Sequence, residues 1–175
     1  MKLIVFSGLP GTGKSTLAEE LGRRLGIPVF AKDWLEATLV RSEIVPSNPN
    51  QPLGLAGYQL LTTLAQRQLM LNQCVILDRV ASTETIRNSW RRLSEQYHAQ
   101  WHVIECICSD GSLHRSRLTL RQRNIPGWHE LHWSDVEKVK RYYVPWDEER
   151  LVLDMKFPFD ENLRKSIAYC GDCDI

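Results

Sequence analysis

Residues 8 to 16 read Gly-Leu-Pro-Gly-Thr-Gly-Lys-Ser-Thr. The spacing G-x-x-x-x-G-K-[ST] is that of a loop that wraps phosphate. Gly8, Gly11 and Gly13 let the backbone turn tightly and approach an anion, so that successive amides, that of Thr12 among them, point at it. Lys14 adds a mobile positive charge. Ser15 places a hydroxyl where a Mg²⁺ bridging the β- and γ-phosphates takes it as a ligand, and Thr16 follows as a further nucleotide contact. The helix that starts here aims its positive dipole end at the same phosphates. The chemistry implied is binding of a nucleoside triphosphate.

Three other positions separate phosphoryl transfer from hydrolysis. Asp78 ends the apolar run Cys74-Val75-Ile76-Leu77, which puts a carboxylate at the carboxyl end of a buried strand, where open α/β sheets bind ligands. It is a candidate Mg²⁺-supporting residue. Arg79 follows it, where ATP-hydrolysing motors usually carry a glutamate, and the N-K-x-D and D-x-x-G patterns of GTPases are absent. Asp33 falls just after Val29-Phe30-Ala31-Lys32. It is placed either to accept the proton of an attacking hydroxyl or to cap a helix beginning at Trp34. Arg115, Arg117, Arg121 and Arg123 form a basic cluster with no acidic residue between Ser112 and Asn124. Arg117 and Arg121 are four apart on one helical face, so both are expected to reach the transferred phosphoryl group. The same arginines would also suit a solvated face or an RNA contact.

The elements needed to position these groups are written along the chain. Apolar, β-prone runs recur at Lys2–Phe6, Pro28–Ala31, Cys74–Leu77, His102–Cys108 and Leu151–Leu153. Helical periodicity lies between them, at Leu17, Leu21 and Leu25, at Leu61, Leu64 and Leu71, at Ile86, Trp90, Leu93 and Tyr97, and at Val136, Val139 and Tyr143. Short, nearly all-apolar strands alternating with helices predict a five-stranded parallel sheet in a three-layer α/β/α fold. Ile44–Gly57 reads as an irregular connection between helices. Asn124–Trp133, with Pro126, Gly127 and Trp128, reads as a mobile lid or its hinge.

Length and composition set the class. The chain's 175 residues predict a single domain over 1–175 with a lid around 112–134. A net charge of +1 gives no global attraction to nucleic acid or membrane, so any basic site must be local. The short apolar run before the loop predicts no leader, and no stretch approaches the roughly 18 apolar residues of a membrane span. A cytoplasmic protein is expected. Five cysteines, an odd number, fit a reducing compartment. Cys74, Cys106 and Cys108 read as small core residues, and Cys170 and Cys173 as two incidental thiols of a lone C-x-x-C.

Together these positions resemble the P-loop kinase group that includes polynucleotide 5′-hydroxyl kinases, chloramphenicol phosphotransferase-like enzymes and zeta-toxin-like kinases, often described as AAA-family ATPases. The resemblance is carried by the phosphate loop, Lys32-Asp33, the strand ending in Asp78, and Arg117-Leu118-Thr119-Leu120-Arg121, similar to the group's lid R-x-x-x-R. It implies a P-loop NTPase with a nucleoside-monophosphate-kinase-like sheet, ATP with Mg²⁺ as cofactors, and a substrate hydroxyl deprotonated by Asp33. Many relatives hold the acceptor's phosphate with an arginine three residues after that aspartate, whereas this chain has Glu36. The departure favours a small, uncharged or weakly charged acceptor against an aromatic wall from Trp34 with Trp128 or Trp133. The rival readings are a polynucleotide 5′-hydroxyl kinase and a nucleotide-binding regulatory module. No membrane and no obligatory protein partner is expected.

Overall fold

A computed structural model describes residues 1–42 and 53–173. Five parallel strands are described, β1 (Lys2–Ser7), β2 (Val29–Ala31), β3 (Val75–Asp78), β4 (Gln100–Ile107) and β5 (Leu151–Asp154), in the order β2-β3-β1-β4-β5. Helices α1 (Lys14–Leu25), α2 (Lys32–Arg41), α3 (Leu53–Met70), α4 (Glu84–Gln96), α5 (Gly111–Leu120), α6 (Trp133–Lys140) and α7 (Phe159–Cys170) alternate with them.

Side-chain alternation along β1 builds the two outer layers. Ile4 and Phe6 face Leu17, Leu21 and Leu163 of α1 and α7, while Leu3 and Val5 face Leu61, Ala65, Trp90 and Leu93 of α3 and α4. A strand covered on both faces has no position for a polar side chain, which is why β1 and β3 are almost wholly apolar. The edge strands β2 and β5 are only partly buried. Trp90 is fully buried, and its indole N–H donates to Thr62 Oγ1 at 2.9 Å, linking α4 to α3.

The register brings the functional ends together. Phe6 pairs with Asp78, and Asp78 with Ala31, so the phosphate loop, Asp78 and the start of α2 emerge at one edge of the sheet.

Two sequence expectations are corrected. Leu53–Gly57, read as the end of an irregular connection, is the first part of α3. Gly57 is tolerated there because a Cβ would stand 2.8 Å from the Glu36 side chain, so close helix packing requires a residue without one. The remainder of that connection, 44–52, lies outside the described residues. Cys74 and Cys173 are not free thiols: they form a disulfide that ties the chain beyond α7 to the residue before β3. Cys106, Cys108 and Cys170 are free. No described helix is long and apolar enough to cross a membrane.

Candidate active site

β1 runs directly into the glycine loop, and the loop into α1. Gly8, Gly11 and Gly13 have φ of 132°, 80° and 101°, the left-handed region that favours glycine. Gly8 is further constrained by space, because a Cβ would lie 2.1 Å from the Cys106 carbonyl oxygen on β4. Thr12 is buried and its hydroxyl donates to Leu9 O at 3.0 Å, so it shapes the loop and offers no hydroxyl to a ligand. From outside, His114 of α5 braces the loop through Nε2, 2.8 Å from Pro10 O. Lys14, at the first position of α1, is buried. Burial lowers its pKa, while Asp78 and Asp33 pull it back up.

Asp78 closes β3 within the same cavity as Lys14 and Ser15. Burial raises its carboxyl above the ordinary range, opposed by the Lys14 charge and the Ser15 hydroxyl. Its Oδ1 is buried without a hydrogen-bond partner. A buried carboxylate oxygen is costly unless something takes it up. A hard divalent cation shared with the Ser15 hydroxyl fits that donor set, since such ions prefer oxygen ligands. Glu19, one turn beyond Ser15, lines the same cavity and has its pKa raised by burial and by Asp78.

Asp33 sits in the first turn of α2, whose N-cap is Ala31. The helix starts earlier than the sequence suggested, so Asp33 is not its cap. Two arginines hold its carboxylate: Arg123 Nη1 donates to Oδ2 at 2.7 Å and Arg79 Nη1 to Oδ1 at 3.4 Å. Arg79 is oriented in turn by Tyr58, donating to its hydroxyl from Nε at 2.9 Å and stacking 5.0 Å from its ring centre. Glu36 is buried in an ion pair with Lys32.

The arginine pair predicted to act together divides. Arg121 lines the cavity of Lys14, Ser15, Asp33 and Asp78, about 390 Å³ in volume, and also a neighbouring one of about 290 Å³. Arg117 lines only the second, with Thr16, Met155, Phe157 and Phe159, and donates from Nη1 to Met155 O at 2.6 Å. Trp34 and Trp128 wall the first cavity along with Val139 and Tyr142. Trp133 does not: its ring packs edge-on to His114, 5.2 Å between centres, under the Arg115 guanidinium at 4.4 Å.

The sequence reading missed three of these partnerships, Arg123 with Asp33, Arg79 with Tyr58 and Lys32 with Glu36. Only the last carried a local signal, an i, i+4 lysine–glutamate spacing. Among the described residues no cluster of three or more His, Cys, Asp or Glu is placed to hold a metal ion.

A parallel sheet in this order, with a glycine loop between β1 and α1 and an aspartate ending β3, defines a P-loop NTPase fold. The AAA domain family, AAA_33, matches residues 3–145, and the chain belongs to it. Solved structures share the fold. A sugar kinase from Janibacter sp. superposes with a TM-score of 0.72 at 15% identity, covering 97% of this chain and 94% of that one. A gluconokinase from Sinorhizobium meliloti gives 0.67 at 19% identity, covering 95% and 90%. Kti12 from Chaetomium thermophilum, in complex with ADP-AlF3, gives 0.70 at 17% identity, covering 97% and 99%. No curated protein matches the chain.

Proposed function

We propose that the protein is an ATP- and Mg²⁺-dependent kinase that transfers the γ-phosphoryl group to a hydroxyl of a small-molecule acceptor, acting as one domain. The observation that carries this reading is a single cavity lined by Lys14, Ser15 and Asp78 together with Asp33, Trp34 and Tyr142. Phosphate-binding and acceptor-binding groups thus share one space sized for a small ligand.

In this reading the amides of Gly8–Ser15 and the Lys14 ammonium hold the phosphates. Mg²⁺, held by Ser15 and Asp78, would neutralise charge on the β- and γ-phosphates. Asp33 accepts the proton of the acceptor hydroxyl as the new O–P bond forms and the bond to ADP breaks, and Arg121 stabilises the charge that develops. Arg117, beside Thr16 and Phe157, belongs to the nucleotide base pocket, not to the transferred group. The segment 112–134 acts as a lid, since it supplies Arg121 and Arg123.

The basic groups near Asp33 favour a small acceptor over a nucleic-acid end. Arg79 and Arg123 are engaged by Asp33, and Lys32 by Glu36, so these three basic groups are already paired within the protein. Labelled ATP offered with a panel of sugars, sugar acids and other polyols, and with 5′-hydroxyl oligonucleotides, tests the reading. Transfer to a small alcohol supports it, and transfer to the oligonucleotides alone overturns it. With an acceptor found, Asp33→Asn should abolish transfer and leave ATP affinity nearly unchanged.

A further inference from the structure

Two consecutive tyrosines face opposite ways behind α6. Tyr142 lines the main cavity and is 47% exposed, whereas Tyr143 packs against the core cluster of Val5 and Trp90. The Tyr143 hydroxyl donates to Glu105 Oε1 at 2.6 Å and lies 3.0 Å from Ser7 Oγ. Ser7 is fully buried and is the last residue of β1, immediately before Gly8. Its Oγ accepts from Trp146 Nε1 at 2.9 Å and donates to Val80 O at 2.7 Å. Val80 O also receives the Gly8 amide, at 3.4 Å. One hydroxyl thus joins the strand that feeds the phosphate loop, the turn after Asp78, and the segment leaving α6.

Counting protons gives this chain a direction. Arg150 Nε donates to Glu105 Oε2 at 2.6 Å, and the other carboxylate oxygen of Glu105 accepts from the Tyr143 hydroxyl. The Ser7 hydroxyl gives its single proton to Val80 O and has its oxygen 3.0 Å from the Tyr143 oxygen. Burial and Glu105 push the Tyr143 hydroxyl up to about 12, so it stays a donor at neutral pH. The surroundings are fixed: Val144 N donates to Ser82 O at 2.9 Å, and Arg87 stacks 3.9 Å from the Trp146 ring centre while donating to Ala81 O at 2.7 Å. Movement of the segment after α6 must therefore be felt at Ser7 and Val80.

We infer that Tyr143 is a positioning residue that acts through Ser7, coupling the α6 wall of the cavity to the phosphate loop so that occupancy at Tyr142 and nucleotide binding at Gly8–Ser15 strengthen each other. The inference rests on the kinase reading for what the α6 wall holds. Such coupling is reciprocal, so nucleotide alone must tighten the α6 wall.

The test needs no acceptor. Affinity for AMPPNP with Mg²⁺ is measured by calorimetry for the wild type, Tyr143→Phe, Ser7→Ala, the double variant and Tyr97→Phe. Tyr143→Phe keeps the ring and removes the hydroxyl, and is expected to weaken binding about tenfold, the scale of one hydrogen bond to a charged group. The double variant should bind no worse than the weaker single one, because both cut one chain. Tyr97 also packs against that core cluster, and its hydroxyl accepts from Gln66 Nε2 at 3.1 Å. Tyr97→Phe should lower the melting temperature like Tyr143→Phe yet leave affinity unchanged. Hydrogen exchange over 133–143 should slow on AMPPNP addition in the wild type and not in Tyr143→Phe. Wild-type affinity in Tyr143→Phe, additive losses in the double variant, or equal slowing in both proteins overturns the inference. A wild type that does not bind AMPPNP overturns the kinase reading and the inference together, whereas coupling without phosphate transfer to any acceptor leaves the inference standing alone.

Discussion

Arg123 Nη1 lies 2.7 Å from Asp33 Oδ2, across 90 residues of sequence, and joins the segment after α5 to the start of α2. The Arg123 side chain is only 4% exposed, and it also binds His129 O and Glu130. One guanidinium therefore organises the 123–130 turn and docks it onto the carboxylate proposed as the catalytic base. Removing it in Arg123→Ala should cost about 2 kcal/mol in urea unfolding, moderated because Asp33 is a third exposed. Arg123→Lys should recover only part of that, since an ammonium cannot fork between Asp33 and His129 O. A loss within about 0.5 kcal/mol of zero would remove the docking role.

Gly8 and Gly26 separate backbone strain from steric exclusion. Both have positive φ, 132° and 67°, but a Cβ on Gly26 meets nothing within 4 Å, whereas one on Gly8 strikes the Cys106 carbonyl at 2.1 Å. Gly26→Ala is expected to cost about 1 kcal/mol, the price of the left-handed conformation, with AMPPNP affinity intact. Gly8→Ala should exceed about 3 kcal/mol and abolish binding, because β4 or the loop must move. Equal effects of the two changes on affinity would contradict this account of the loop.

The Cys74–Cys173 disulfide closes a span of 99 residues at the end of the sheet opposite the phosphate loop. Its loss in Cys173→Ser should lower stability by about 3 to 5 kcal/mol through the freedom regained by the unfolded chain. Nucleotide affinity should not change. Thiol titration of the unfolded, unreduced protein should find the three free cysteines, Cys106, Cys108 and Cys170. Five titrating thiols would mean the bridge does not form in the isolated protein.

What the sequence made legible was whatever is contiguous. The phosphate loop is nine consecutive residues whose glycines set the turn, and Asp78 is marked by the apolar strand that ends in it. Layer order followed from strand burial, since a strand covered on both faces must be apolar throughout. Asp33 was singled out as a base or a helix cap but its partners were not foreseen, because Arg79 and Arg123 reach it through tertiary packing and leave no periodicity. The disulfide was equally hidden: an odd cysteine count is compatible with one bridge, and spacing does not name its ends. Gly57 misled for a physical reason, because a glycine that looks like a loop signal is in α3 to make room for Glu36.

Lys32 gives the fold a pH dependence of definite sign. It is buried against Glu36, with its ammonium 4.9 Å from the Tyr58 ring centre and with Arg79 and Asp33 nearby. Burial and the Arg79 charge outweigh the carboxylates and lower its pKa from 10.5 to about 8. Below that value both folded and unfolded chains carry the proton, and this group adds no slope. Between about 8 and 10.5 the unfolded chain holds more protons than the folded one, so stability contributed at this position rises with pH. Wild type measured against Lys32→Met should therefore gain from pH 8 towards 10.5, by on the order of 1 kcal/mol per pH unit at its steepest, and stay parallel to it near neutrality. Parallel curves throughout would show that the Lys32–Glu36 pair holds its proton as tightly as a lysine in water, and a falling difference would mean that Glu36, and not burial, dominates the site.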